Sequence, residues 1–249
     1  MIQLIACDID GTLLFPGQTE IAPAVLREIP RLEARGIRFC PTSGRRPESL
    51  RRLFAPVADR LYYICENGAT IYAPGGALLG TLAMPRAEAM RICREILRRP
   101  DCELMVSGVE GCYLFPKGEE IVRTIEEIGN HLVYVPTPED IPEEILKVSA
   151  FCPDADALAP EMTGLPLPPR IAGARWVDFT RSDKADGLRR LGALLGIARE
   201  DILAIGDNYN DVGMLYYAGC AYLMETAAPE LRERFPRHCR RVEELLQNL

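Results

Sequence analysis

Two aspartates stand one residue apart in Asp8-Ile9-Asp10-Gly11-Thr12, at the end of the apolar run Ile2 to Ile9. A strand's side-chain period of two puts both carboxylates on one side of the chain. So close together they repel, unless a cation neutralises them or one keeps its proton. Either solution suits phosphoryl chemistry. One carboxylate can bind a metal and attack phosphorus, while the other gives a proton to the leaving oxygen and later takes one from water. Gly11 lets the backbone turn sharply and bring its amide to an anion, and Thr12 adds a hydroxyl. Taken alone, the pentapeptide also reads as a turn that caps a helix.

Three further clusters could join that pair. Thr42-Ser43-Gly44-Arg45 follows a second apolar run and offers a hydroxyl, a glycine amide and a helix start to a phosphate. Ser-Gly is equally a common turn signal, and Arg45 and Arg46 read as solvated. No nucleophile-elbow pattern surrounds Ser43, and His131 and His238 are the only histidines, which argues against a serine hydrolase. Lys184, by itself an ordinary surface cation, precedes an apolar helical pattern. Gly206-Asp207-Asn208-Tyr209-Asn210-Asp211 gathers the hard oxygen ligands that magnesium prefers. The plain alternative is a turn at Asp207 and Asn208 with Asn210 capping the next helix.

The elements that must position these groups are short and apolar. Ile2–Ile9 reads as a strand buried on both faces. Pro23 opens a helix carrying Val25, Leu26, Ile29 and Leu32, with a kink expected at Pro30 and a stop at Gly36. Ile37–Cys40 and Leu61–Cys65 are expected strands on either side of a short helix from Pro47 to Phe54. The pattern returns with a helix from Ala185 to Leu195 and strands at Ile202–Ile205 and Cys220–Leu223. Alternating strands and helices imply a parallel sheet, in which ligands bind beyond the carboxyl ends of the strands. The two ends of the chain are therefore expected in one sheet.

Between them the texture changes, with breaks at Pro116, Pro136, Pro138, Pro142, Pro153 and the Pro166–Pro169 cluster. This predicts an inserted domain over 84–177, with the main domain made of 1–83 and 178–249. Hinges are expected near Leu82–Pro85 and Trp176–Thr180, and a mobile loop near Leu165–Arg170.

The 249 residues, 48% of them hydrophobic, suffice for two cores. A net charge of -7 argues against general nucleic-acid binding, so the expected partner is a small molecule. No apolar stretch approaches the roughly 20 residues of a membrane helix, and the chain starts directly on a strand rather than a signal peptide, which predicts a cytoplasmic protein. Nine cysteines, an odd number without zinc or redox spacing, read as reduced core residues.

Nucleophile pair, hydroxyl, cation and acidic loop, in that chain order, resemble the haloacid dehalogenase superfamily. The insert, Glu66-Asn67-Gly68-Ala69 and Gly-Asp-Asn-x-Asn-Asp-x-x-Met-Leu from Gly206 resemble its Cof-type phosphatases with an α/β cap. The resemblance implies a Rossmann-like, doubly wound and mainly parallel α/β core with a smaller inserted α+β cap acting as a lid. It also implies a magnesium-dependent phosphatase working through an aspartyl phosphate on a small metabolite, with sugar phosphates foremost. Asp8 would be the nucleophile and Asp10 the general acid/base. Ser43, Gly44, Lys184 and Asn210 would bind phosphate. Asp8, Asp207 and the Asp10 backbone carbonyl would hold Mg2+, with Thr12, Arg45, Asn67 and Asp211 in support. A phosphomutase and a non-catalytic sensor of a phosphorylated metabolite remain as rivals, and the oligomeric state is open.

Overall fold

A computed structural model describes residues 1–115, 118–128 and 131–249; Pro116 lies outside the described residues. The chain divides into two compact units, one made of Met1–Gly80 with Ser182–Leu249 and the other of Thr81–Arg181. The fold is α/β, with a doubly wound parallel sheet in the first unit and a smaller α+β insert.

The first unit is built on five parallel strands in the order His238–Cys239, Cys220–Met224, Ile202–Gly206, Leu4–Cys7, Arg38–Pro41. Leu4–Cys7 pairs with Ile202–Gly206, so the two ends of the sequence do share one sheet. Leu4 to Cys7 are fully buried because both faces are covered. Ile5 and Cys7 pack with Val25, Ile29 and Leu32 of the helix Pro23–Ala34. Leu4 and Ala6 pack with Leu188 and Leu191 of the helix Lys184–Leu195.

The helix Pro23–Ala34 contains Pro30 in its interior. One element departs from the sequence reading. Tyr63–Cys65 does not extend the parallel sheet but joins Thr70–Tyr72 and Leu78–Thr81 in a separate three-stranded sheet. A single parallel bridge, Thr42 to Ile64, ties it to the main one. Its apolar run serves both roles, because burial on two faces does not specify the hydrogen-bonding partner. Trp176–Thr180 is a regular strand, paired antiparallel to Ile145–Phe151, and the division between the two units follows it at Arg181. Its aromatic and β-branched residues suit a pleated surface.

The second unit holds six strands in the order Arg170–Gly173, Trp176–Thr180, Ile145–Phe151, Glu103–Gly108, Cys112–Phe115, Leu132–Tyr134. Alternation divides its faces: Leu104, Val106, Val148, Ala150, Val177 and Phe179 pack with Ile92, Cys93 and Ile96 of the helix Arg86–Leu97. Met105, Leu114 and Phe151 face the other way, with Ile121 and Ile125.

Candidate active site

The functional side chains of the first unit sit where its strands end. Asp8 directly follows Leu4–Cys7, and its backbone N–H donates to the Ile205 carbonyl at 2.9 Å. Asp207 directly follows Ile202–Gly206. Between these strand ends the chain reverses at Gly11, whose φ is +93°. A Cβ there would meet Asp207 Oδ2 at 2.2 Å, so both conformation and space require glycine. Thr12 follows, and its hydroxyl donates to Asp207 Oδ1 at 3.0 Å.

Lys184 opens the helix Lys184–Leu195, whose cap is Asp183; the Asp183 carboxylate accepts the Asp186 N–H at 2.8 Å. That start aims the ammonium inward, 1% exposed, where it donates to Asp8 Oδ1 and, at 2.6 Å, to Asp211 Oδ1. The second Asp211 oxygen accepts the N–H groups of Asp207 and Asn208, each at 3.0 Å. Asp211 is therefore a brace between the lysine and the turn that presents Asp207. Capping falls to Asn208, whose side chain accepts the Tyr209 N–H at 2.8 Å, and not to Asn210, which is exposed. Asp211 at the third position after Asn208 makes the capping box that decides between the two asparagines.

Asp10, unlike Asp8, is solvent-accessible. Arg45 grips it with two hydrogen bonds, Nε to Oδ2 at 2.8 Å and Nη2 to Oδ1 at 2.6 Å. Asp10 raises the Arg45 pKa chiefly by that hydrogen bonding. Ser43 is buried, and its Oγ accepts the Arg45 N–H at 3.2 Å. Asn67 lies against Gly44, where a Cβ would come within 3.0 Å of its amide nitrogen.

The electrostatics follow from three carboxyls around one ammonium. Burial, and next the charge of Asp211, pushes the Asp8 carboxyl well above the usual carboxylate range, with Lys184 opposing. Burial and Asp211 also raise Asp207, against hydrogen bonds from Thr12 and with Asp8. Burial disfavours the Lys184 charge, but Asp211 and Asp8 more than offset it and the ammonium is held above its ordinary value. The cluster is over-supplied with negative charge and calls for a proton or a cation. Among the described residues, Asp8, Asp207 and Asp211 each offer an oxygen within 4.8 Å of the others. An all-carboxylate donor set fits a hard divalent cation such as magnesium. With both Asp211 oxygens engaged, Asp8 and Asp207 are the pair with capacity to spare.

A sequence profile described as haloacid dehalogenase-like hydrolase matches residues 5–164 and 177–243, which covers both strand-end clusters and most of the insert. The chain belongs to this family. It is similar to the 5-amino-6-(5-phospho-D-ribitylamino)uracil phosphatase of Escherichia coli K12, 28% identical over 91% of this chain and 86% of that protein. It is also similar to the HMP-PP phosphatase of Cronobacter sakazakii, 26% identical over 97% of this chain and 92% of the relative. Among solved structures, a protein from Eubacterium rectale superposes with a TM-score of 0.89 at 28% identity, covering 99% of this chain and 98% of the other. Membership of the family makes the chain an enzyme of the hydrolase class.

The structure thus brings Asp8, Thr12, Lys184, Asp207 and Asp211 into one hydrogen-bonded cluster, Asp10 onto Arg45, and Asn67 onto Gly44. Sequence reasoning gave no role to Glu66, whose carboxylate is buried 3.8 Å from the buried guanidinium of Arg46. A charged residue directly after an apolar strand and before Asn-Gly was the available signal.

Proposed function

We propose that the protein is a magnesium-dependent phosphatase that hydrolyses a small phosphorylated metabolite through a phospho-aspartate at Asp8. The observation that carries this reading is the Lys184 ammonium bridging Asp8 and Asp211 beside Asp207, at the ends of neighbouring parallel strands. Asp8, Asp207 and the Asp10 backbone carbonyl would hold the cation, which when bound neutralises the carboxylates and the phosphoryl oxygens.

The chain's own groups divide the remaining work. Asp8 attacks phosphorus in line and becomes an acyl phosphate, while Asp10 gives its proton to the departing alcohol oxygen. Asp10 then takes a proton from water as that water attacks phosphorus, which frees phosphate and restores Asp8. The Lys184 ammonium, the Ser43 hydroxyl, the Gly44 amide and Asn210 hold the phosphoryl oxygens, and Asp211 fixes the lysine. Arg45 keeps Asp10 oriented.

The substrate class is a phosphorylated polyol or sugar. The relative named for a phosphoribityl substrate and the earlier resemblance both support it. The test is phosphate release from a panel of sugar, polyol and cofactor phosphates, with magnesium or with excess chelator. Magnesium-dependent release supports the reading, and no release from any compound contradicts it.

A further inference from the structure

Glu66, Asn67 and Gly68 take φ values of +50°, +54° and +96° in succession. Two adjacent non-glycine residues in the left-handed region persist only where their surroundings over-determine them, and such strain gathers at functional sites. Here both flanks of the turn are backbone. On one side Glu66 N–H donates to the Arg45 carbonyl at 3.1 Å, Asn67 N–H to the Ser43 carbonyl at 3.0 Å, and Ser43 N–H to the Ile64 carbonyl at 2.9 Å. On the other side a Cβ on Gly68 would meet the Asp183 carbonyl oxygen at 2.0 Å. One on Gly187 would meet Gly68 Cα at 2.8 Å. The turn is therefore a spacer between the Ser43 loop and the helix start that carries Lys184.

Its clamp is the buried Arg46–Glu66 pair, with side chains 3% and 1% exposed and Nη1 3.8 Å from Oε1. Arg46 also reaches Glu48, Nε to Oε2 at 3.3 Å. Arg46 follows Arg45, so the same short segment holds Asp10 with one guanidinium and Glu66 with the next. The Asn67 Oδ1 is buried without a hydrogen-bond partner, beside Gly44.

We infer that Glu66 and Arg46 are positioning residues for phosphoryl binding: their buried pair locks the left-handed 66–68 turn, which sets the spacing between the Ser43 hydroxyl and the Lys184 ammonium. The inference rests on the reading of Ser43 and Lys184 as phosphate-binding groups. A purely structural pair would affect stability alone, whereas a spacer affects phosphate affinity and turnover in a folded enzyme.

The test uses the full chain with magnesium, measuring the dissociation constant of inorganic phosphate by calorimetry, kcat and KM on p-nitrophenyl phosphate, and the thermal midpoint. Glu66→Gly removes the carboxylate while glycine accepts the left-handed backbone without strain. Glu66→Gln keeps the size and hydrogen-bonding capacity and guards against a glycine variant that fails to fold. A misplacement of about 1 Å can cost up to about 100-fold in rate. The expected result for Glu66→Gly is therefore a roughly tenfold or greater loss of phosphate affinity and of kcat/KM in protein that remains folded, alongside a midpoint lowered by about 6–20 °C by the buried Arg46 charge left behind. Glu66→Gln should recover part of that loss. Phosphate affinity within about twofold of wild type in both variants would overturn the inference while leaving the phosphatase reading intact. Failure of the wild-type protein itself to bind phosphate or release it would remove both.

Discussion

Replacing Lys184 by methionine deletes the ammonium held between Asp8 and Asp211 while keeping an unbranched side chain in a site that is 1% exposed. Asp8 and Asp211 are then buried against each other with Asp207 nearby, and no compensating positive charge remains between them. Removing one partner from a buried ion pair costs about 3–5 kcal/mol. For a chain of this size, about 2–4 °C per kcal/mol gives a fall in thermal midpoint of about 6–20 °C at neutral pH in chelator. The pH dependence has a definite sign. Burial and Asp211 already raise Asp8, and Lys184 opposes them. Its loss raises Asp8 further, so the folded variant binds more protons than the unfolded chain above the ordinary aspartate range. Stability then falls with rising pH, and the deficit against wild type shrinks as pH drops from about 8 towards 5. The assay is thermal denaturation of both proteins across that range, with and without magnesium. A midpoint within about 2 °C of wild type at pH 8 would refute the reasoning.

Gly11→Ala puts a Cβ 2.2 Å from Asp207 Oδ2 at a φ of +93°. Displacing Asp207 should raise the magnesium concentration for half-maximal activity by about 10–100-fold, read from a magnesium titration. Arg45→Met removes a pair with Asp10 that is 30% and 56% exposed, so stability should change by no more than about 1 kcal/mol, or about 2–4 °C in the midpoint. Turnover of alkyl phosphates, whose leaving oxygen needs a proton, should nevertheless drop more than that of p-nitrophenyl phosphate. All nine cysteines are free and eight are buried, with Cys220 the half-exposed exception. Burial pushes the thiols of Cys40 and Cys93 up to about 12. A thiol reagent at pH 8 should therefore label Cys220 quickly and the others only on unfolding, as peptide mapping would show.

Part of the cluster was legible because Asp8 and Asp207 lie directly after strands, and a parallel sheet gathers the segments that follow its strand ends. Each follows an apolar run, and parallel pairing of those runs brings the two together. Partner choice was less legible. Leu61–Cys65 reads as an apolar run, but which strand Tyr63–Cys65 pairs with depends on the whole sheet and not on local pattern. The same limit hid the Asn208 cap, since two asparagines compete and only the position of Asp211 decides between them. The pairing of Glu66 with Arg46 was illegible for a further reason. The place of Glu66 between an apolar strand and Asn-Gly marks that residue alone, but a buried charge pair is a three-dimensional fact.

The most direct test of the central claim is to mix wild-type protein and Asp8→Asn with a radiolabelled phosphate ester and magnesium, quench in acid within the first turnover, and map the label by peptide. The account predicts a covalent phosphoryl group on the wild-type peptide containing Asp8 and none on the variant. Phosphate release without label at Asp8, or near-normal turnover by Asp8→Asn, would contradict it.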